Sequence, residues 1–239
     1  MFAKPVNLEN RILAYLCNVL LPFDIIYFIS LPKAIHRRKL LQKEFDKHSI
    51  KDKFGNDPVW VSASNGNNPA HFIDNSIKRQ NRKSATSQSE IGCFASHRAV
   101  WNLFKESGLE TCLVLEDDVR FAPMASDVFA NWDKMPEWDY VHFGFTTNKK
   151  SIIDTLELCH IPELKTLNKG SGMWLTHAYS INQFAASVFE ENTRIQYGGI
   201  DWQLTGIQSK VKSYGFLNKG PIHQERVTFS FPSTIKHTQ

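Results

Sequence analysis

From Asp24 onward, short apolar runs alternate with segments of helical periodicity along the chain. The first run, Ile25 to Ile29, predicts a buried strand, and the helix formers from Ala34 to His48 predict the helix that follows it. Such alternation is typical of βαβ units, in which parallel strands lie side by side and helices cover the sheet. We therefore predict an α/β domain with a mostly parallel central sheet flanked by helices.

The length of the chain, 239 residues, is sufficient for one sizeable core. We assign residues 24–239 to one domain and residues 1–23 to an N-terminal helical extension, in which Ile12, Leu16 and Val19 fall on one helical face. The apolar run of this extension is too short to span a membrane. The extension is therefore expected either to dock on the domain or to make a peripheral contact with the inner membrane surface.

The charge and the cysteine content indicate which partners and which cellular compartment to expect for the protein. A formal net charge of +4 is too small to predict nucleic-acid binding, so no nucleic-acid partner is expected. The basic cluster at residues 78–83 is either a solvated loop or a docking patch for phosphates or anionic lipid. The four cysteines are scattered without a C-x-x-C pair, which favours a reducing, cytoplasmic compartment.

Further elements can be placed from local patterns. Val59 to Val61 predicts a short strand, and the polar residues 64–89 predict a long loop of the kind that often binds ligands. Ser87 and Glu90 match the capping box that begins a helix, and Gly108 is a natural stop for that helix.

The later part of the chain gives weaker signals. Thr111 to Leu115 and Trp138 to Gly144 are apolar enough for buried strands. We predict a helix from Ala178 to Glu190 and a loop-rich segment after it.

Three carboxylates, Glu116, Asp117 and Asp118, directly follow the strand Thr111 to Leu115. In open α/β sheets, ligands bind beyond the carboxyl ends of strands, and adjacent acids repel one another unless a cation lies near. Carboxylate oxygens there suit Mn²⁺ or Mg²⁺ together with substrate phosphates. Strand alternation would turn Glu116 and Asp118 to one side and Asp117 to the other. We predict Glu116 and Asp118 as metal ligands and Asp117 as a contact to a nucleotide ribose; the alternative is a helix N-cap or a solvated acidic turn.

Two blocks around these acids resemble glycosyltransferase family 25, of the lipopolysaccharide and lipooligosaccharide galactosyltransferase type. Residues 90–101 (EIGCFASHRAVW) are similar to its E-I-G-C-x-x-S-H-x-x-x-W pattern, and residues 113–119 (LVLEDDV) are similar to L-I-L-E-D-D-V. The resemblance spans about Ile25 to Ser230, with weaker similarity at residues 29–38, 63–66, 176–180 and 199–204.

The resemblance implies a GT-A-type fold, a nucleotide-diphosphate sugar donor and transfer with inversion at the anomeric carbon. It also implies a UDP-sugar, with galactose as the first expectation, and a lipid-linked or free oligosaccharide acceptor of lipopolysaccharide type. Ser30, Pro32 and Asn65 depart from the family pattern in turns expected to line the donor site, which leaves the donor sugar open.

Donor-binding residues are assigned to the same edge of the predicted sheet. Arg37 and Arg38 follow the first strand and could contact phosphate bidentately, with ordinary surface charge as the alternative. His97 could contact the donor phosphate, hold a ligand carboxylate in place, or be a core histidine. Besides Asp117, the predicted set comprises Arg37, Arg38, Ala63, Asn65, Gly66 and His97.

Asp201 is predicted as the general base that accepts the proton of the acceptor hydroxyl. It follows Gly198 and Gly199 and precedes Trp202, and an aromatic face beside an acid suits a sugar ring. The alternative is a helix-capping aspartate with a core tryptophan.

Two other functions use the same residues. Glu116 or Asp118 paired with Asp201 could form the two carboxylates of a glycoside hydrolase, which would need neither metal nor nucleotide. A non-catalytic partner protein that binds a nucleotide sugar is the other alternative.

Overall fold

The computed structural model describes residues 20–67, 78–79, 87–145, 164–167, 175–217 and 220–225. The strands in this part of the chain are β1 (Ile25–Ser30), β2 (Val59–Ser62), β3 (Lys78–Arg79), β4 (Thr111–Glu116), β5 (Val119–Phe121), β6 (Tyr140–Phe145), β7 (Leu164–Thr166), β8 (Ala178–Asn182), β9 (Ile195–Gln196), β10 (Ser213–Leu217) and β11 (Ile222–Gln224). The α-helices there are α1 (Ile35–His48), α2 (Gln88–Ser107), α3 (Ala125–Ala130), α4 (Gln183–Asn192) and α5 (Ile200–Ile207).

A seven-stranded sheet in the order β2-β1-β4-β8-β6-β10-β7 forms the centre of the fold. Strand β8 is antiparallel to both of its neighbours, and β7 is antiparallel to β10. The other five strands run in one direction, as the parallel pairs β1–β2, β1–β4 and β6–β10 show. The predicted α/β class with a mostly parallel central sheet is therefore confirmed.

Strand β4 is buried on both faces of the sheet. Cys112 and Val114 belong to one hydrophobic cluster, while Leu113 and Leu115 belong to the other, because successive side chains point to opposite faces. A strand covered on both sides needs apolar residues at every position, which explains its uninterrupted apolar run. The sequence change from Leu115 to the acid at Glu116 marks the point where the strand leaves this core.

Helix α2 covers one face of the sheet and contains residues 90–101, the first of the two blocks that resemble the family pattern. The Ser87 hydroxyl accepts from the Glu90 backbone N–H, and the Glu90 carboxylate accepts from the Ser87 N–H, so the predicted capping box is confirmed. Gly108 ends the helix with a φ of 69°, a left-handed conformation that glycine adopts without steric cost. The fully buried Phe94 and Trp101 pack this helix onto the core.

The hydrophobic core includes residues that precede the predicted domain boundary at residue 24. Leu21 and Phe23 are fully buried, and the Phe23 ring lies edge-on to the rings of Trp132 and Phe143. The helix and the peripheral membrane contact predicted for the N-terminal extension fall mainly on residues 1–19, outside the described residues. None of the described helices has the length and apolar character needed to cross a membrane.

The helix predicted from Ala178 to Glu190 is confirmed from Gln183 onward and wrong before it, and the prediction of a loop-rich segment after it was wrong. Ala178–Asn182 is strand β8 between β4 and β6, and the helix begins only at Gln183, where the Asn182 side chain accepts from the Ala185 N–H at 2.9 Å. The short apolar segment fits a strand or a buried helix equally well by pattern, and pairing on both sides decides for the strand. The segment expected to be loop-rich contains α5, β10 and β11, whose short strands depend on tertiary pairing.

Candidate active site

The three acids lie where two neighbouring parallel strands end. Ile29 of β1 pairs in register with Glu116 of β4, so the carboxyl ends of both strands meet at one edge of the sheet. Ser30, the last residue of β1, donates its hydroxyl proton to Asp117 Oδ2 at 2.6 Å. This edge is where open α/β sheets bind their ligands.

Arg37, in the first turn of α1, holds the two aspartates together. Its Nη2 lies 2.5 Å from Asp117 Oδ1 and 2.8 Å from Asp118 Oδ2. The expectation that Asp117 would point away from Asp118 was therefore wrong. Strand β4 ends at Glu116, and Asp117 and Asp118 form a turn. The alternation of side chains along a strand therefore does not apply to these two residues.

Asp118 has one carboxylate oxygen that nothing in the described part of the chain satisfies. Gln224 Nε2 donates to Oδ2 at 3.1 Å, whereas the buried Oδ1 has no hydrogen-bond partner there. Burial and the negative charge of Glu116 raise the pKa of Asp118 to about 7, despite the opposing charge of Arg37. A buried acceptor oxygen beside other carboxylates fits a hard cation such as Mn²⁺ or Mg²⁺. Asp118 and, next to it, Glu116 are the residues that would hold such an ion.

Glu116 faces a different set of partners. Its Oε1 accepts from the Thr176 hydroxyl at 2.9 Å and lies 3.3 Å from His97 Nε2. Burial alone would raise the pKa of Glu116, but the hydrogen bond from His97, together with Thr176 and His177, lowers it to about 2. Neighbouring acids with pKa values displaced in opposite directions are typical of functional sites.

The predicted donor loop begins at the same edge of the sheet. The Ala63 N–H donates to the Ser30 carbonyl at 2.9 Å, which continues the pairing of β2 with β1. Asn65 Oδ1 accepts from the Asn67 N–H at 3.1 Å and so stabilises the turn. The contribution of Ala63 and Asn65 to donor binding stays a prediction.

Gly66 and Gly92 bring this loop against helix α2. A Cβ at Gly66 would lie 1.7 Å from the Gln88 carbonyl oxygen, and a Cβ at Gly92 would lie 2.7 Å from the Gly66 nitrogen. Only glycine at both positions allows the backbones to approach this closely. Gly66 and Gly92, which belong to separate sequence motifs, therefore lie against each other.

Arg38 lies apart from the acids. Its guanidinium donates to the Leu31 and Pro32 carbonyls and stacks over the Trp60 ring, 4.3 Å from the ring centroid. These contacts fasten the turn after β1 onto β2. Of the two predicted arginines, Arg37 is the one that contacts the carboxylates, and a phosphate contact of Arg38 stays a prediction.

Asp201 lies in the first turn of α5 rather than in a loop. Its Oδ1 accepts from the Trp202 N–H at 2.8 Å, and its Oδ2 accepts from the Leu175 N–H at 3.3 Å. Burial, with smaller contributions from Glu116 and Glu90, raises the pKa of Asp201. Trp202 is 48% exposed, so its ring is not part of the core.

The Cys93 thiol lies close to His97 and Glu116. Burial first, and then the charges of Glu116, Asp201 and Asp118, raise the pKa of this thiol well above its usual value. The adjacent residues Leu175 and Thr176 donate to Asp201 and to Glu116, respectively, so the predicted base and the predicted ligand Glu116 share one region of the molecule. Cys93 Sγ, a ring nitrogen of His97 and a carboxylate oxygen of Glu116 lie within 4.8 Å of one another.

Three residues of this site were missed as site residues by sequence reasoning. Ser30 departs from the family pattern and is not among the predicted donor-binding residues, although its hydroxyl contacts Asp117. Thr176 directly precedes the His-Ala-Tyr segment, which was a usable signal. Gln224 carries no recognisable signal, because only the pairing of β11 with β5 brings it to Asp118.

Comparison with known proteins identifies the family. The sequence model of the family described as glycosyltransferase family 25 (LPS biosynthesis protein) matches residues 23–197. The chain belongs to glycosyltransferase family 25. The matched segment contains Arg37 and the three acids, while Asp201 and Gln224 lie beyond it. Membership in family 25 confirms the resemblance and favours a transferase over the glycoside hydrolase alternative.

The relatives that the chain matches are much longer proteins. A glycosyltransferase 25 family member of Anopheles gambiae is 30% identical over 132 residues, which is 50% of this chain and 21% of that protein. Procollagen galactosyltransferase 1 of Danio rerio is 28% identical over 100 residues, 40% of this chain and 16% of that protein. A solved glycosyltransferase involved in the glycosylation of the major capsid of PBCV-1 is similar over 69% of this chain and 62% of that chain, with a TM-score of 0.33 and 12% identity.

Proposed function

We propose that this family 25 protein is a metal-dependent, inverting glycosyltransferase that moves a hexose from a UDP-sugar to a saccharide acceptor. Galactose is the sugar we expect first, and the acceptor is a free or lipid-linked oligosaccharide of lipopolysaccharide type. The observation that carries the proposal is Asp118: its Oδ1 is buried without a hydrogen-bond partner in the described chain, at the strand end where Asp117 and Glu116 also lie.

The diphosphate of the donor would meet Arg37 at this edge. Arg37 forms ion pairs with Asp117 and Asp118, and its buried Nε has no hydrogen-bond partner among the described residues. The Arg37 guanidinium could donate to phosphate oxygens of the diphosphate in the bidentate manner that arginine favours. A bound Mn²⁺ or Mg²⁺ supplies Lewis-acid stabilisation of the departing diphosphate.

Asp201 would accept the proton of the acceptor hydroxyl. Its raised pKa makes it a stronger base than an exposed aspartate, and two backbone N–H groups fix its orientation. The exposed ring of the next residue, Trp202, would offer an apolar face on which the acceptor sugar can stack. Attack from this side on the anomeric carbon displaces the nucleotide with inversion.

A panel of nucleotide sugars tests the proposal and names the donor. The melting temperature of the protein is measured with UDP-, GDP- and CMP-sugars, each with and without Mn²⁺, because a ligand that binds only the folded state raises it. We expect a metal-dependent rise with UDP-galactose, followed by UDP release when acceptor saccharide is added. The Asp118→Asn variant should lose the metal-dependent rise, while the exposed-acid control Asp133→Asn should keep it.

The remaining outcomes separate the alternatives. A metal-dependent rise without UDP release on adding acceptors of lipopolysaccharide type contradicts the proposed transfer and favours the non-catalytic partner protein. No rise with any nucleotide sugar contradicts the donor site itself.

A further inference from the structure

A line of buried polar groups runs from helix α2 through strand β8 to Glu116. Trp101 Nε1 lies 2.9 Å from the Tyr179 hydroxyl oxygen, and that oxygen lies 2.9 Å from His97 Nδ1. The second ring nitrogen of His97, Nε2, lies 3.3 Å from Glu116 Oε1. Trp101, Tyr179 and His97 are each at most 1% exposed, so water does not complete these bonds from outside.

The indole N–H of Trp101 determines which atom donates in each hydrogen bond of this line. An indole N–H can only donate, so the Tyr179 oxygen accepts from Trp101. The hydroxyl proton of Tyr179 then has His97 Nδ1 as its acceptor at 2.9 Å. With Nδ1 accepting, the ring proton of neutral His97 is on Nε2 and is donated to the Glu116 carboxylate.

The opposite tautomer leaves two groups unsatisfied. A proton on Nδ1 would make Tyr179 accept from both His97 and Trp101, and the buried Tyr179 proton would lose the acceptor it has in this line of bonds. His97 Nε2 would then direct a lone pair at a carboxylate oxygen. Burying an unsatisfied donor and opposing two acceptors both carry a substantial free-energy cost.

We propose that Trp101 and Tyr179 are positioning residues that hold His97 as its Nε2–H tautomer and thereby fix Glu116 in the orientation used for donor binding. His97 then acts through Glu116 and is not itself a metal ligand. The nearby thiol of Cys93 therefore does not form a transition-metal site with His97, although their ligand atoms lie within 4.8 Å of each other and of Glu116. The effect on donor binding rests on the proposed function, whereas the tautomer does not.

The tautomer can be measured directly by NMR of ¹⁵N-histidine-labelled protein at pH about 8, where neutral imidazole is the form to be assigned. Loss of one signal set in His97→Gln identifies His97 among the nine histidines. We expect a protonated Nε2 and an unprotonated Nδ1 in the wild type, and a displaced signal of the unprotonated Nδ1 in Tyr179→Phe, because Nδ1 loses its hydrogen bond while Glu116 still accepts from Nε2. A wild-type ring protonated on Nδ1, or an unchanged Nδ1 signal in Tyr179→Phe, overturns the proposal.

The consequence for binding is measured with the same variants. The affinity for UDP-galactose with Mn²⁺ should fall about tenfold in Tyr179→Phe, the size of effect typical of residues that orient a ligand carboxylate. Tyr27→Phe removes a tyrosine hydroxyl from the same hydrophobic cluster and should change the affinity less than about twofold.

The outcomes distinguish this inference from the proposed function. A displaced Nδ1 signal with unchanged donor affinity in Tyr179→Phe overturns the positioning role. Wild-type protein that shows the expected tautomer but binds no UDP-sugar with metal contradicts the proposed function and leaves the tautomer assignment standing. Melting curves of both tyrosine variants check that each is folded at the measuring temperature.

Discussion

Ser30 donates a hydrogen bond to Asp117 across 2.6 Å, and this bond joins the ends of two neighbouring parallel strands. The serine is the last residue of β1, and the aspartate is the first residue after β4. Both side chains are buried, and the Ser30 hydroxyl opposes the rise in the pKa of Asp117 that burial causes. A residue that departs from the family pattern thus stabilises one of the acids that define the pattern.

Removing this hydroxyl should weaken donor binding. In Ser30→Ala, Asp117 keeps its ion pair with Arg37 but loses the hydrogen bond from the Ser30 hydroxyl. A hydrogen bond to a charged group contributes about 1.5–3 kcal/mol. We expect the affinity for the UDP-sugar to fall about tenfold or more, since about 1.4 kcal/mol corresponds to a factor of ten. Calorimetric titration of the donor measures it, with Ser126→Ala on the exposed start of α3 as the control. Unchanged affinity in Ser30→Ala would show that Asp117 does not contact the donor.

Asp201 should affect turnover far more than donor binding. In Asp201→Asn the side chain keeps its shape but can no longer accept a proton, and loss of a general base lowers kcat by about 10²–10⁴-fold. The KM for the donor should change less than about threefold, because the base contacts the acceptor. Steady-state UDP release at saturating acceptor measures both constants. A kcat within a factor of about two of wild type would exclude Asp201 as the base.

The contact between the donor loop and helix α2 should tolerate no side chain at Gly66. A methyl group there would lie 1.7 Å from the Gln88 carbonyl oxygen, so either the loop or the helix must move. We expect Gly66→Ala to lower the free energy of unfolding by about 3 kcal/mol, the upper part of the range for overpacking.

A second glycine provides the matched control. A Cβ at Gly206 on α5 would meet no atom within 4 Å, and alanine is favoured over glycine inside helices. Gly206→Ala should therefore raise the free energy of unfolding by about 0.5–1 kcal/mol. Urea unfolding measures both variants, and equal effects of the two substitutions would contradict the close approach at Gly66.

Asp24 should make stability depend on pH in the acidic range. It is buried at the start of β1, accepts from the Glu110 and Thr111 N–H groups at 2.8 Å each, and pairs with Lys53. Although burial opposes the effect, Lys53 and these N–H groups lower its pKa below the ordinary 3.8. Its contribution is therefore present above the unfolded-state pKa of 3.8 and is lost as the pH falls through the lower folded-state value.

The Asp24→Asn variant tests this pH dependence. We expect it to lose about 2 kcal/mol of unfolding free energy at neutral pH, since hydrogen bonds to a charged group are replaced by weaker ones. The loss should become smaller at pH about 3, where protonation removes the same contribution from the wild type. Urea unfolding at both pH values measures it, and an equal loss at the two values would contradict the lowered pKa.

The sequence allowed the fold class and the centre of the site to be predicted because both depend on local pattern. The apolar run of β4 and its abrupt change to acid at Glu116 place the carboxylates at a strand end. The capping box at Ser87 and the stop at Gly108 fix the bounds of α2.

The errors arose where distant parts of the chain decide the structure. Ala178–Asn182 is a strand only because β4 and β6 pair with it from either side. Gln224 reaches Asp118 across 106 positions of sequence, and no local pattern records such a contact. Asp117 and Asp118 converge because Arg37 binds both, which strand alternation does not anticipate.

Metal-dependent donor binding at Asp118 is the central claim, and titration of UDP-galactose with and without Mn²⁺ tests it most directly. Asp118→Asn keeps the shape of the side chain and removes the charge that would hold the cation beside the diphosphate. We predict that Mn²⁺ strengthens donor binding to the wild type at least about tenfold and has less than about a twofold effect on Asp118→Asn. Equal metal dependence in both proteins, or donor binding to the wild type that is independent of metal, would contradict the account.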